Sequence, residues 1–270
     1  MPTRNDDVDW DSWPVEDYLA ENYRLLHPSD AAVIDHHAAH YRTLAPGGVA
    51  RSVEFGAGPN LYPLMLASAV SRRIDAVEAG AANVAYLRSQ LEGGADASWR
   101  PFEERIRTLL PSLPARPLER VRVVRGDARA LPAGRYGLAS MHFVAEGVTE
   151  DFAEFTAFCG AFARSVVPGG HLVAAFMENM PTYRIGRDSC WPGCPVDPDV
   201  VREVFTPLTE WLTVTRIDAD PTLPDYGDTG MVLLAARAAR GARGADAPAG
   251  AAGALTTAGP RPARGRPARP

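Results

Sequence analysis

The chain has 270 residues, 46% of them hydrophobic, which is enough for one or two buried cores at the usual ~150 residues per domain. All 28 basic residues are Arg, so mechanisms that need a lysine, such as a Schiff base or a Walker-type phosphate lysine, are excluded. The net charge of −5 combines +6 from residue 237 onward with −11 in the body, and an acidic body argues against nucleic acid as the main partner.

No apolar run approaches the ~20 residues that span a bilayer, and the acidic first residues lack the pattern of a secretion signal. We therefore expect a cytoplasmic protein without membrane contact. The three cysteines are expected to be thiols, because no His or Cys cluster surrounds them as a zinc site requires. No metal is predicted, and the sequence does not distinguish a monomer from a dimer.

The first predicted elements are helices between residues 17 and 44, with a new helix start at Pro28-Ser29-Asp30. Short apolar runs rich in β-branched residues then alternate with helical stretches. The runs predict strands at 52–55, 74–77, 121–124, 138–143 and 172–176. The stretches between them predict helices at 62–70, 82–91 and 152–166. This alternation is typical of a parallel sheet covered on both faces.

The pattern changes after the fifth strand. A Pro-rich loop at 179–198 leads to a helix at 199–205 and to two last strands, whose short connection predicts an antiparallel hairpin. The sequence thus predicts an α/β, Rossmann-like fold: a seven-stranded, mostly parallel sheet with an antiparallel C-terminal hairpin and N-terminal lid helices. We divide it into lid helices at 1–45, a core at 46–237 and a disordered Ala/Gly/Pro/Arg-rich tail at 238–270.

A glycine turn follows the first strand, where Gly56, Gly58 and Pro59 lead into a helix. Strand, turn and helix start are the setting of a nucleotide-binding loop, because glycine lets the backbone turn sharply and approach a ligand. Leu61 stands where the pattern GxGxxG has its third glycine, which disfavours a dinucleotide such as NAD. A ligand without phosphates, such as S-adenosylmethionine, places less demand on that helix.

Acidic residues follow the next two strands. Glu78, at the end of the second strand, is placed to accept hydrogen bonds from both hydroxyls of a ribose. Asp127 occupies the equivalent place after the third strand and is predicted to bind an adenine amino group, to cap a helix, or both. Together with a later Pro-Gly-Gly turn at 168–170, this order of motifs is typical of class I methyltransferases.

The segments DYLAENY at 17–23, EFGAGPNLY at 54–62 and YRIG at 183–186 resemble the nicotinamide, phenylethanolamine and indolethylamine N-methyltransferase family. The resemblance extends over residues 15–237 and implies an S-adenosylmethionine-dependent methyltransferase that acts on a small molecule, with nitrogen as the preferred acceptor atom. The resemblance implies that Tyr18 and Tyr23 cover the cofactor from the N-terminal helices. The other cofactor-binding residues that it implies are Gly56 and Tyr62, which with Tyr23 lie near the methionyl end, Glu78 and Asn83 at the ribose, Asp127 and Ala128 at the adenine, and His142 and Phe143 beside the methionyl group.

The chain departs from this family at the acceptor site. The family places an acid on the fifth strand, and the corresponding residue here is Phe176. Glu178, two residues on, is predicted to share the face of Phe176, and Glu146, past the fourth strand, is the other carboxylate positioned to reach a substrate. We weigh the two equally as proton acceptors. Further acceptor-site residues are predicted in the long loops: Tyr183, Trp191 and Asp228.

Two alternatives to methyl transfer stay open from the sequence. One is an enzyme that transfers or cyclises the aminobutyryl arm of the same cofactor and releases methylthioadenosine, which the missing acid at Phe176 permits. The other is a non-catalytic cofactor-binding protein.

Overall fold

A computed structural model describes residues 1–186 and 189–240. Its strands are β1 Ser52–Phe55, β2 Ile74–Glu78, β3 Val121–Arg125, β4 Tyr136–His142, β5 Val166–Glu178, β6 Tyr183–Ile185, β7 Ser189–Trp191, β8 Thr209–Asp218 and β9 Gly230–Ala238. Its helices are α1 Val15–Asn22, α2 Pro28–Tyr41, α3 Tyr62–Ser68, α4 Ala81–Gly93, α5 Arg100–Leu109, α6 Phe152–Ser165 and α7 Pro198–Phe205. Two short 3₁₀ turns, Asn5–Asp7 and Trp10–Ser12, precede α1.

Seven strands form one sheet in the order β3-β2-β1-β4-β5-β9-β8. Strands β1 to β5 pair in parallel, whereas β9 pairs antiparallel with both β5 and β8. The predicted Rossmann-like sheet with its antiparallel C-terminal hairpin is confirmed. Parallel strands also place the carboxyl ends of β1 to β4 at one edge, where this class of fold binds ligands.

Two features of the segment 166–198 differ from the prediction. The fifth strand begins at Val166, so the Pro-Gly-Gly segment lies inside β5, where pairing with β4 shifts register and Gly169 has a φ of +74°. The loop predicted at 179–198 contains a small antiparallel ribbon, β6 with β7. Both features depend on partner strands, which local periodicity does not reveal.

The sheet separates two hydrophobic cores. One lies under α2, α3 and α5, and the other under α6 and α7. Side chains alternate along a strand, so Met177 of β5 faces the first core and Phe176 faces the second. Phe176 is fully buried between Phe155 and Phe205, with ring centroids 6.1 and 6.2 Å away. The predicted acceptor contact of Phe176 is therefore wrong, because its ring points away from the N-terminal helices.

Within the described residues, no helix is long and apolar enough to cross a membrane, and no three His, Cys, Asp or Glu side chains are grouped as metal ligands. The three cysteines are free, two of them buried. From residue 241 onward, the predicted tail lies outside the described residues.

Candidate functional site

A cavity of about 430 Å³ opens at the carboxyl ends of β1 to β4. We call it the strand-end cavity, and its volume lies in the ~300–1,000 Å³ range of small-molecule sites. The structure brings ten of the predicted cofactor residues to its wall: Tyr18, Gly56, Gly58, Pro59, Glu78, Asn83, Asp127, Ala128, His142 and Phe143.

The glycine turn supplies the floor of this cavity. Gly56 and Gly58 have φ values of +70° and +53°, in the left-handed region that favours glycine. A Cβ atom at Gly56 would lie 2.7 Å from Cγ1 of Val144, so packing alone requires glycine there. A Cβ atom at Gly58 would meet nothing within 4 Å. At Gly58 the backbone is therefore open to close approach by a ligand.

Glu78 is held in a fixed position at the centre of the wall. Its side chain is buried, and it accepts hydrogen bonds from the N–H groups of Gly58 at 2.8 Å and Gly80 at 2.7 Å and from the Asn83 amide at 3.3 Å. Burial raises the pKa of Glu78, and these hydrogen bonds oppose that rise. Because a carboxylate has about four acceptor positions, it retains capacity toward the cavity. The Oδ1 atom of Asn83 is buried and not exposed to the cavity, and it has no hydrogen-bond partner among the described residues.

Asp127 caps the short turn that follows β3. It accepts a hydrogen bond from the backbone N–H of Arg129 at 2.8 Å and pairs with the Arg129 side chain at 2.9 Å. Arg129 also pairs with Asp6 at 2.6 Å and Glu154 at 3.1 Å. Among the described residues of this wall, Arg129 is the one Arg. Because three carboxylates pair with this arginine, its positive charge is not available to bind a pyrophosphate. This disfavours NAD as the ligand.

The first residues of the chain cover the cavity, which the sequence analysis did not predict. Asn5, Asp6, Val8, Trp10 and Trp13 all line the wall. A Cβ atom at position 80 would lie 2.7 Å from the carbonyl oxygen of Trp10, so this segment rests directly on the backbone after β2. The one signal in the sequence was the pair of tryptophans in an acidic stretch, since large apolar side chains seldom face solvent without a partner.

Contacts on both sides hold this cover in place. Asp11 accepts a hydrogen bond from the backbone N–H of Ala81 at 2.7 Å and pairs with Arg125 at 3.0 Å. The rings of Trp10 and Trp13 pack on Trp191, with centroids 5.3 and 4.6 Å away. Trp191 therefore lies behind the cover and not on a cavity wall.

His142 closes the wall at the end of β4. Its Nδ1 lies 2.8 Å from Oε1 of Glu54, and its buried Nε2 has no hydrogen-bond partner. Phe143, the next residue, has a φ of +57°, an uncommon value for a residue other than glycine. The Nε2 atom is not exposed to the cavity, so His142 and Phe143 contribute ring surface to this wall.

A second cavity, of about 80 Å³, adjoins the first. We call it the aromatic cavity. Trp13, Tyr18 and Phe143 line both cavities. The remaining wall of the aromatic cavity includes Tyr23, Asp30, Met177, Tyr183, Tyr226 and Met231. Of the predicted site residues, Tyr183 and Tyr23 therefore line the aromatic cavity, and Tyr23 does not line the strand-end cavity.

Two other predicted residues lie on neither of these walls. Tyr62 is fully buried, and its ring stacks on Phe102 with centroids 5.8 Å apart. Asp228 accepts a hydrogen bond from the backbone N–H of Gly230 at 3.1 Å in the loop between β8 and β9. These contacts hold the first core and the hairpin loop, respectively.

The structure brings neither predicted proton acceptor to a cavity wall. Glu178 pairs through both oxygens with Nε of Arg216, at 2.8 and 2.9 Å, and accepts a hydrogen bond from the Thr229 hydroxyl. The Arg216 contact lowers the pKa of Glu178. Glu146 is fully buried, and its Oε1 accepts a hydrogen bond from the backbone N–H of Met177 at 2.8 Å, while its Oε2 has no partner. Both carboxylates lie behind the walls because backbone and arginine contacts hold them there.

Glu146 makes the stability of the protein depend on pH. Burial raises its pKa from 4.5 to about 8, so the folded state binds this proton more tightly than the unfolded state does. Its destabilising effect is absent below pH 4.5 and complete above pH 8. We compare the unfolding free energy of Glu146→Gln with that of the parent chain. The advantage of Glu146→Gln should increase by ~1–3 kcal/mol when the pH rises from 5 to 9.

Urea unfolding of both proteins at the two pH values measures this gain. Glu92→Gln, at an exposed position in the last turn of α4, serves as the control and should show no such gain. A stability difference for Glu146→Gln that stays constant between pH 5 and pH 9 would contradict the assignment.

Comparison with known proteins identifies the fold. The [4+2]-cyclase SpnF matches with a TM-score of 0.58 at 14% identity, over 89% of this chain and 99% of that one. DhpI, in a complex with SAH, matches with a TM-score of 0.52 at 17% identity, over 83% and 91%. A Listeria monocytogenes protein, provisionally described as an S-adenosylmethionine-dependent methyltransferase, matches with a TM-score of 0.50 at 9% identity, over 78% and 98%.

No protein-family model and no curated protein sequence matches the chain. Because 1026 solved chains match it, the likeness identifies a widely used fold and does not single out a substrate. The class I methyltransferase fold is confirmed, whereas membership in the nicotinamide, phenylethanolamine and indolethylamine N-methyltransferase family stays a prediction.

Proposed function

We propose that this protein is an S-adenosylmethionine-dependent methyltransferase that acts on a small molecule at nitrogen. The observation that carries the proposal is the junction of the two cavities, where Trp13, Tyr18 and Phe143 line both. A cofactor bound in one cavity and an acceptor bound in the other would meet at this junction. Catalysis of group transfer depends on holding the two reacting groups in contact.

The residues of the strand-end cavity fit this cofactor. Glu78 presents acceptor atoms for the ribose hydroxyls, the Asn83 amide hydrogen-bonds to Glu78, and Gly58 leaves room for close approach. Asp127 and Ala128 line the same cavity, and we assign them to the adenine. His142 and Phe143 contribute ring surface to the wall on which we expect the methionyl end. A wall with several carboxylates and one neutralised arginine suits a ligand without phosphates.

When bound, the cofactor supplies a methyl group on a positively charged sulfur. The rings of Trp13, Tyr18 and Phe143 present π-electron density at the junction, which attracts such a cation. The same rings, with the cover formed by the first residues, shield the junction from water, and this strengthens electrostatic interactions there. Orientation and exclusion of water are thus the contributions that this chain's own residues make.

The product of the cofactor tests the proposal. We expect incubation of the protein with S-adenosylmethionine and a panel of amine, phenol and acid acceptors to yield S-adenosylhomocysteine and a methylated amine, detected by mass spectrometry. Release of methylthioadenosine would instead indicate transfer or cyclisation of the aminobutyryl arm. Cofactor binding without turnover on any acceptor would indicate a non-catalytic protein.

A further inference from the structure

Asp30 brings an unpaired carboxylate into the aromatic cavity. It lies in the first turn of α2, and only 3% of its surface is exposed. Within the described residues, no Arg, His or amide side chain pairs with it. The Tyr62 hydroxyl, which acts to lower the pKa of Asp30, has itself no hydrogen-bond partner of good geometry. A buried charge without a partner is costly, and such groups cluster at functional sites.

The groups around Asp30 do not compensate its charge. Burial and the nearby Asp220 carboxylate raise the pKa of Asp30. Asp220 itself accepts a hydrogen bond from the backbone N–H of Ser29 at 2.8 Å. The other titratable neighbours are phenols, those of Tyr18, Tyr23 and Tyr62. None of the described residues that line the aromatic cavity is Arg or His. A positively charged ligand could therefore pair with the Asp30 carboxylate.

The rest of the wall also favours a cation. The ring centroids of Tyr18 and Tyr23 are 5.6 Å apart, and those of Tyr183 and Tyr226 are 6.1 Å apart. Faces of aromatic rings attract ammonium groups, and a set of rings around one carboxylate is a recurring way to bind them. Met177 lies on the same wall and adds an adaptable apolar surface.

We propose that Asp30 binds the ammonium group of the acceptor and accepts its proton, so that the acceptor is a small amine that arrives as a cation. This inference rests on the proposed function above. In the proton transfer, the N–H bond of the ammonium breaks, an O–H bond forms on Asp30, and the electron pair stays on the nitrogen. The acidic residue that binds the acceptor then lies on α2. It does not lie on the fifth strand, where Phe176 faces the opposite core.

Charge selectivity tests this inference directly. The probes are butylamine, benzylamine and 2-phenylethylamine, each compared by calorimetry at pH 8 with the alcohol of the same carbon skeleton. We expect at least one amine to bind the parent chain ~10-fold or more tightly than its alcohol, as for a charge-assisted hydrogen bond. In Asp30→Asn this preference should fall to within about twofold. Equal binding of amines and alcohols by the parent chain, or a preference that survives in Asp30→Asn, would overturn the inference.

Two further measurements distinguish ammonium binding by Asp30 from a purely structural role of this residue. Because Asn removes an unpaired buried charge, the Tm of Asp30→Asn at pH 8 should rise by ~2–4 °C, and a fall would indicate a structural residue. Asp35→Asn, at a partly exposed position on the same helix that pairs with Arg105 and lines neither cavity, is the matched control and should keep the amine preference. All comparisons are run with and without S-adenosylhomocysteine. Failure of the parent chain to bind S-adenosylhomocysteine would count against the proposed function alone.

Discussion

Replacing Glu78 by alanine is expected to weaken S-adenosylmethionine binding at least ~100-fold. Two hydrogen bonds from ribose hydroxyls to a buried carboxylate contribute ~1.5–3 kcal/mol each, and a loss of ~3 kcal/mol corresponds to more than a hundredfold in affinity. The substitution also removes the acceptor for the N–H groups of Gly58 and Gly80, so the glycine turn loses its anchor at the same time. Titration calorimetry measures the change.

Two variants make the Glu78 result interpretable. Glu78→Gln keeps the shape and one acceptor oxygen, so it should fold like the parent chain while still losing most of the affinity. Glu92→Ala removes an exposed carboxylate from the last turn of α4 and should bind as the parent chain does. If Glu78→Ala bound the cofactor within about threefold of the parent, the ribose assignment would be refuted.

Replacing Trp13 by alanine should weaken cofactor binding by ~10- to 100-fold, as truncation of a central tryptophan contact does at interfaces. Trp13 lines both cavities, and its ring packs on Trp191 and Tyr18, with centroids 4.6 and 5.3 Å away. Its removal opens the junction between the cavities and loosens the N-terminal cover. Because the cover is a peripheral segment, we expect the thermal unfolding temperature to change much less than the affinity.

Trp211→Ala is the matched control for this prediction, because Trp211 lies half-exposed on β8 and lines neither cavity. Its affinity for the cofactor should equal that of the parent chain. Parent-like affinity in Trp13→Ala would show that the first residues do not cover the bound ligand.

The sheet and its ligand-binding edge could be predicted from the sequence because both depend on local signals. Apolar runs and their spacing fix where strands begin, and the glycine turn with Glu78 identifies the edge. The β6 and β7 ribbon and the early start of β5 at Val166 could not be predicted, because each exists only through its partner strand.

The cover and the acceptor side of the site were harder to predict for a similar reason. The segment from Asn5 to Trp13 has no periodicity of its own and is placed by contacts with residues far along the chain, such as Arg125 and Glu154. On β5, counting back from a distant motif gave Phe176, which is one residue away from the side chain that lines the aromatic cavity. In the structure Met177 lines the aromatic cavity, whereas Phe176 and Glu178 point to the other side.

Asp30 shows the same limit. In the sequence it is an acid in the first turn of a helix, which is a common and unremarkable position. Its burial depends on the loop between β8 and β9, which brings Asp220 to the start of α2 and Tyr226 to the end of α1. Only the tertiary structure reveals that no Arg, His or amide side chain among the described residues pairs with this carboxylate.

A crystal structure of the chain with S-adenosylhomocysteine would test whether the strand-end cavity binds the cofactor with its sulfur at the junction of the two cavities. We expect both ribose hydroxyls to lie within hydrogen-bond distance of Glu78. We expect the sulfur to lie at the junction formed by Trp13, Tyr18 and Phe143, directed toward Asp30. A ligand bound outside the strand-end cavity, or a sulfur directed away from the aromatic cavity, would contradict this expectation.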